Sequence, residues 1–287
     1  MTVRSFFVRK RIVILSILLA AILFLLIACD FRLIVRKYEI DADKIESPIR
    51  IAFVSDLHSC YYVEDQRELV DAIMKEDPDV LLLGGDVFDS KLDSKNTEIF
   101  LSAVSDKFPI YFATGNHDVW GGDEAFEKKM EILDRYGVTI LSGESKTIEI
   151  NGSSLNVCGV DDLSVFDSDS KGKGKEESFF AQLDKVNGEA KDGNFTILLS
   201  HHPEYFEKYV IYDFDLILSG HAHGGQWRVP LLLNGVYAPN QDLFPKYAGG
   251  EYAENGTTMI VSRGLARETT LVPRIFNRPE LVIIEIE

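Results

Sequence analysis

Cysteine is scarce in this sequence: Cys29, Cys60 and Cys158 are the three in 287 residues, too few and too scattered for a disulfide framework. That excludes a small stapled fold and leaves the redox compartment open. Basic side chains are also short over most of the chain. Residues 1–48 carry 8 Lys and Arg against 5 Asp and Glu, and the totals of 30 and 46 therefore leave 22 basic against 41 acidic groups in the remainder. A body this acidic lacks the clustered cations that displace counterions from a nucleic-acid backbone, so broad nucleic-acid binding is not expected, although a small local patch is not excluded. Divalent cations would offset part of the acidity if carboxylates coordinate them. Internal repeats, coiled-coil heptads and a dividing linker are lacking as well. One globular domain of roughly 240 residues with a full core follows.

The first feature present is an apolar stretch. Ile12 to Ala28 are 17 residues, apolar apart from Ser16, with Arg9, Lys10 and Arg11 before them and Asp30 and Arg32 after. As a helix they span about 25 Å, near the lower limit for a hydrocarbon core of about 30 Å. A buried core helix would show a polar face, and this one has none. A single-pass membrane helix is expected, with residues 1–44 as a cytoplasmic basic end, anchor and juxtamembrane segment, and residues 45–287 as the folded domain. The basic residues before the stretch put the domain on the extracytoplasmic side, a modest asymmetry because Arg32, Arg36 and Lys37 follow it. Two rivals stand beside the anchor. A basic start and an apolar run also describe a cleaved signal peptide. Leu26-Ile27-Ala28-Cys29 resembles a lipobox, which would attach acyl chains at Cys29.

From Ile49 onward, short apolar runs alternate with amphipathic stretches, the pattern of an α/β domain. Ile49–Val54, Val80–Leu83, Ile110–Ala113, Thr196–Leu199 and Leu216–Leu218 read as buried strands. Helical periodicity covers Glu64–Lys75, Asn96–Phe108 and Asp123–Tyr136. Asn151-Gly152 between two β-like runs predicts a hairpin with a two-residue turn. Asp167–Glu177 has no apolar side chain and reads as a flexible loop.

Each of the five apolar runs ends within a few residues of a potential metal ligand: Asp56 and His58, Asp86, Asn116, His201, then His221 and His223. In open α/β sheets ligands gather beyond the carboxyl ends of the strands, so five such endings deliver these side chains to one crevice. All 6 histidines of the chain lie in these endings. Carboxylate, imidazole and amide donors without thiolate suit manganese, iron or zinc, with nickel or cobalt as alternatives, better than the all-oxygen preference of magnesium or calcium. His117 stands beside Asn116, placed for general acid catalysis, and Asp118 next to it is a candidate to orient its ring. Gly220 to Gln226 sets three glycines around two histidines, where backbone must approach ligands closely. Arg263, after an apolar strand, is a candidate phosphate clamp. Trp227, Leu231 to Leu233, Tyr237 and Phe244 are expected mainly as core.

Asp56-Leu57-His58, Gly85-Asp86-Val87-Phe88-Asp89, Gly115-Asn116-His117-Asp118, Ser200-His201-His202-Pro203 and Gly220-His221-Ala222-His223 occur in the order found in calcineurin-like metallophosphoesterases. The resemblance spans about residues 49 to 287. It implies a four-layer sandwich of two mixed β-sheets flanked by helices, the metallo-dependent phosphatase-like fold, preceded here by the membrane helix. It implies that Asp56, His58 and His223 hold one divalent ion, that Asn116, His201 and His221 hold another, and that Asp86 bridges them. His117 becomes the general acid, with Asp89 favoured as its orienting partner, and His202 is left as a supporting or solvent-facing neighbour. The chemistry implied is hydrolysis by a hydroxide shared between two metal ions. The runs GHAHGGQWRVP, NGVYAPNQDLFPKYAGGEY and SRGLARETTLVPRIFNRPEL are similar to a bacterial, membrane-associated phosphodiesterase branch that includes enzymes like UDP-2,3-diacylglucosamine pyrophosphatases. The expected substrate is a phosphodiester or pyrophosphate, a phosphorylated small molecule or lipid of the envelope. A phosphomonoesterase using the same site, or a non-catalytic metal-binding scaffold, is the alternative.

Overall fold

The computed structural model describes residues 3–166, 174–267 and 272–287, with side chains from residue 10 onward. Helix α1 (Val3–Ala28) is followed by strands β1 (Ile34–Ile40) and β2 (Ile49–Val54), helix α2 (Arg67–Glu76), β3 (Val80–Gly84), α3 (Lys95–Val104) and β4 (Ile110–Ala113). The single turn α4 (Asn116–Val119), helix α5 (Asp123–Arg135), strands β5 (Thr139–Ile140), β6 (Glu144–Ile150) and β7 (Ser153–Gly159), and helix α6 (Lys175–Glu189) come next. The chain ends through β8 (Phe195–Leu199), α7 (Phe206–Tyr209), β9 (Leu216–Ser219), β10 (Tyr237–Ala238), β11 (Asp242–Leu243), β12 (Gly250–Glu254), β13 (Thr257–Val261) and β14 (Glu280–Ile286).

Two mixed sheets result. One runs β1-β14-β2-β3-β4-β5 and the other β12-β13-β9-β8-β7-β6. Strands β2 to β5 are parallel, as are β7, β8, β9 and β13. Parallel strands buried on both faces need continuous apolar runs, which the chain supplies in β3 and β8, where every residue is buried. Ile51, Phe53 and Leu82 of the first sheet meet Leu155, Ile197 and Leu218 of the second in the layer between the sheets. Leu69, Ile73, Phe100 and Leu133 cover the outer face of the first sheet from α2, α3 and α5. Phe179, Leu183 and Val186 of α6 cover the second. The four-layer architecture expected from the motifs is the one observed.

Several expectations are corrected. The segment before residue 45 is not merely juxtamembrane, because β1 pairs in parallel with β14 from Ile34↔Glu280 to Ile40↔Ile286. The folded unit therefore starts by Ile34. Helix α3 stops at Val104 rather than Phe108; residues 105–108 turn instead, with the Lys107 and Phe108 N–H groups both on the Val104 carbonyl, ahead of Pro109, whose ring keeps Phe108 out of the helical region. Of the loop expected over Asp167–Glu177, residues 167–173 lie outside the described residues, while Lys175, Glu176 and Glu177 open α6 and place carboxylates in its first turn. The β6–β7 turn is as expected, with Asn151 and Gly152 both at positive φ.

Candidate metal centre

Because the parallel strands of both sheets point their carboxyl ends the same way, the loops after β2, β3, β4, β8 and β9 converge. Ligand atoms of Asp56, His58, Asp86 and His223 lie within 4.8 Å of one another, as do those of Asp86, His201 and His221. Asp86 belongs to both groups. Asn116, the first residue of α4, lines the same crevice, with its side-chain Oδ1 buried and without a hydrogen-bond partner. All seven sequence-expected ligands are thus brought to one place.

The loops that carry them are strained. Asp56, His58, Asp86, His221 and His223 all have positive φ, between 46° and 65°. Asp and His enter that left-handed region more readily than most residues, yet each such residue costs on the order of 1–2 kcal/mol. Close approach adds its own demand: a Cβ on Gly85 would come within 2.7 Å of the His201 ring. Strain held by surrounding structure at one locus marks a site that the fold over-determines.

Protein groups hold four of these side chains, and the backbone of a fifth, from behind. Asp86 Oδ1 accepts the His117 backbone N–H at 2.7 Å, and Asp56 Oδ1 accepts that of His221 at 2.9 Å. His201 Nδ1 sits 2.8 Å from the Gly84 carbonyl, so it donates there and leaves Nε2 with its lone pair. His58 Nδ1 lies 3.2 Å from Asp89 in the same manner. The Asn277 side chain donates to the His223 carbonyl at 2.7 Å.

What remains unsatisfied is chemically informative. His58 Nε2, Asp86 Oδ2, Asn116 Oδ1, His201 Nε2 and His223 Nδ1 are buried and lack hydrogen bonds. Buried polar atoms left so are rare and call for an explanation such as an ion. Asp86 Oδ2 is 3.3 Å from His201 Nε2 and 3.5 Å from His58 Nε2. Burial opposes charge on the His201 imidazole, but Asp86 and Asp56 outweigh it and raise its affinity for a proton. Burial, together with the charges of His202 and His201, pushes His221 down to about 3, and burial beside His58 keeps His223 low as well. Imidazoles and carboxylates facing one another are the donors that divalent first-row metals take, an incoming cation displacing a proton held between them.

His117 is set apart. Its side chain is 26% exposed, and its Nδ1 lies 3.4 Å from Asp89 Oδ2 and 3.3 Å from the Ser90 hydroxyl. Burial would raise the Asp89 carboxyl, but hydrogen bonds from His117, His58 and the backbone of Leu92 and Lys91 hold it well below the usual carboxylate range. Asp118, the alternative partner for His117, does a different job. Its buried carboxylate accepts the backbone N–H groups of Asp86, Gly115 and Phe88 at 2.7, 2.8 and 2.9 Å, tying the loops after β3 and β4 together. Burial and the neighbouring Asp86 charge push Asp118 up to about 7 despite those donors.

Arg263 is not brought to the crevice. Gly264 beside it lies under Asp56, where a Cβ would approach within 2.6 Å, but the Arg263 guanidinium runs the other way to Glu280 at 3.3 Å. Lys129 and Asn240 went unseen in the sequence, and His202 takes the supporting one of its two expected places. Lys129 of α5 is buried and donates to the carbonyls of His117, Asp118 and Trp120 at 2.7, 2.9 and 3.2 Å. His202 is buried between Asp162 at 2.6 Å and Glu204 at 2.8 Å, and those hydrogen bonds raise it to about 9 against the effect of burial. Asn240, from the turn between β10 and β11, reaches His221 Nε2 at 3.2 Å. His202, Asp162, Glu204 and Asn240, together with Trp120, Leu163 and Tyr205, wall a cavity of about 700 Å³ beside Asp86, Asn116, His221 and His223.

Known proteins agree with this architecture. Residues 49–225 match the family described as calcineurin-like phosphoesterase. The chain is 29% identical over 245 residues to Phosphodiesterase YaeI of Escherichia coli, covering 84% of this chain and 83% of that protein. It is 28% identical over 247 residues to the metallophosphoesterase YkuE of Bacillus subtilis, covering 83% and 79% of the two chains. Its fold is similar to that of a dimetal phosphatase from Danio rerio, with a TM-score of 0.50 and 12% identity over 76% of this chain and 88% of that one. With the family matched across most of the body and its Asp and His residues gathered at the strand ends, the chain belongs to the calcineurin-like phosphoesterases and is a metal-dependent phosphoesterase.

Proposed function

We propose that this chain hydrolyses a phosphodiester or pyrophosphate bond, using two divalent ions of manganese, zinc or iron around Asp86 and His117 as general acid. The observation that carries the reading is the convergence of five buried, unpartnered donor atoms on the floor of the crevice, with Asp86 common to both ligand groups. Asp56, His58 and His223 would hold one ion, Asn116, His201 and His221 the other. Bound there, such ions would supply a water of lowered pKa and neutralise charge on the phosphoryl oxygens.

The chain's own groups do the rest. Asp86 is locked by the His117 N–H, so its free Oδ2 stays aimed between His58 and His201. Asp89 stays ionised and fixes the His117 ring through Nδ1, leaving Nε2 to give its proton to the leaving oxygen. The similarity to a protein named as a phosphodiesterase supports a diester over a monoester.

An envelope or lipid-linked substrate is supported by two features. Lys10–Ala28 is long and apolar enough to cross a membrane, and we read it as an anchor that holds the domain at the extracytoplasmic surface. In addition, the β10–β11 hairpin, whose turn lines the crevice through Pro239 and Asn240, carries exposed Tyr237 and Leu243, with exposed Phe244 directly after it. Tyr237 and Phe244 had been expected in the core. A substrate with an apolar tail would cover them.

The test is metal stripping of the full-length protein in detergent, refilling with each ion, and assay on bis-p-nitrophenyl phosphate and p-nitrophenyl phosphate. Restored diester turnover is the expected outcome. Turnover of neither ester at any metal loading would sink the reading, and preference for the monoester would replace the diester with the alternative substrate class.

A further inference from the structure

Residues Trp227 to Leu233 form a loop that exposes its apolar side chains. Leu231 is fully exposed, Leu232 84% and Trp227 43%, with Val229 and Val272 similar to Trp227. Such a cluster on a soluble surface marks a contact site, and its position relative to α1 says which kind. The loop is zipped to the segment before β14: the Arg228 N–H donates to the Ile275 carbonyl at 2.9 Å, and the Trp227 indole to that of Pro273 at 2.9 Å. That segment is in turn joined to the anchor helix. The Phe276 N–H donates to the Ala28 carbonyl at 2.7 Å, and the Phe276 ring packs edge-on against Phe24 at 5.5 Å.

Phe24 lies four residues inside the apolar stretch, about 6 Å up the helix from Ala28. A residue of the folded domain packed on it therefore sits at the depth where helix and acyl chains meet. Phe276 also lines a cavity of about 510 Å³ with Val229, Leu232, Asn234, Arg228 and Arg263. The two arginines are unevenly neutralised. Arg263 shares the buried Glu280 carboxylate with Arg36, at 3.3 and 3.2 Å, while Arg228 bonds the neutral Gly224 carbonyl and Asn234 side chain. Burial and the neighbouring Arg263 charge push Arg228 down to about 10. This is a local excess of cations on a body that carries 41 acidic against 22 basic groups after residue 48.

We propose that the Trp227–Leu233 loop is a second membrane contact, entering the leaflet that holds the Ala28 end of α1, with Arg228 and Arg263 seating the phosphate of a lipid headgroup in the cavity beneath it. Two contacts rather than one fix the domain's tilt, so the crevice meets the membrane at a set angle instead of swinging on a tether. The inference rests on the reading of α1 as an anchor.

Trp120 and Trp227 are the 2 tryptophans of the chain, so a Trp120→Phe background makes Trp227 the sole indole reporter. That full-length protein is placed in lipid nanodiscs made with or without brominated acyl chains. The expected result is loss of at least about half of the Trp227 emission in brominated discs, and recovery of most of it in Leu231→Asp/Leu232→Asp. Adding phosphatidylglycerol to phosphatidylcholine discs should deepen the quenching, and Arg228→Gln/Arg263→Gln should remove that difference. Protein that elutes with the discs yet shows equal emission with and without bromine overturns the second contact and leaves the anchor standing. Protein that elutes apart from the discs overturns the anchor and this inference together. Phosphatidylglycerol dependence that survives the arginine replacements overturns the headgroup seat.

Discussion

The crevice and the face beside α1 break the same rule in opposite directions. In the crevice, Asp56, His58, Asp86, Asn116, His201, His221 and His223 are polar residues driven inside, where desolvation is costly. At the other face, Leu231, Leu232 and Trp227 are apolar residues driven outside. The core between the sheets breaks no such rule, since Ile51, Phe53, Leu82, Ile197 and Leu218 are apolar and fully buried. Residues that obey the rule hold the fold, and the two departures carry the two proposals made for it: buried, unpartnered donors that would take cations, and an exposed apolar loop that would meet lipid.

Replacing the shared ligand should have the largest effect. Asp86→Ala should lose metal and bring diester turnover to background, a loss above about 10⁴-fold in kcat, as read by steady-state assay and metal analysis. His117→Ala should keep its metal and lose about 10²- to 10⁴-fold in kcat, the usual range for one general acid. Equal metal loss in the two variants would erase the division between ligand and acid. Asp118→Ala leaves three backbone N–H groups without an acceptor. Denaturant unfolding of the metal-free protein should register a loss of about 3 kcal/mol. A loss below about 1 kcal/mol would mean that the loops after β3 and β4 do not depend on it. Lys129→Met should show the smallest effect, about tenfold in kcat and about 1–2 kcal/mol in stability, because the α4 turn loses one donor to three carbonyls. Unchanged turnover would show that the turn positions His117 without that support.

Much of the crevice was legible in the sequence because its information is local. A strand followed within a few residues by Asp56 or His201 carries its own address, and parallel strands add the addresses together. The buried strands were legible for the same reason, as apolar runs bounded by turns. What escaped depends on which way a side chain leaves the backbone. Arg263 stands next to a glycine that touches Asp56, yet turns to Glu280, and nothing in Ser-Arg-Gly distinguishes the two directions. Asp118 neighbours His117 in sequence but points to backbone N–H groups rather than to the ring. Lys129 sits on an ordinary amphipathic helix, and only packing reveals that its ammonium is buried. Strand β1 was hidden by Lys37 and Glu39, which face out with Val35 on alternate positions of an edge strand, and by Arg36 on the other face. Helix α6 left a readable trace in Phe179, Leu183 and Val186 at helical spacing, but the charged Lys175–Glu177 stretch drew its first turn into the loop. The exposed apolar loop was taken for core because composition alone does not separate an apolar residue that packs inside from one that the fold leaves on the surface.

The shared role of Asp86 is tested most directly by counting metal. Full-length protein and its Asp86→Ala variant, each stripped and refilled with manganese or zinc and freed of excess ion, are measured by mass spectrometry of metal per chain. Two ions per chain in the parent and at most one in the variant is the expected result. One ion per chain in the parent, or the same number in both, would contradict a centre built around a shared carboxylate.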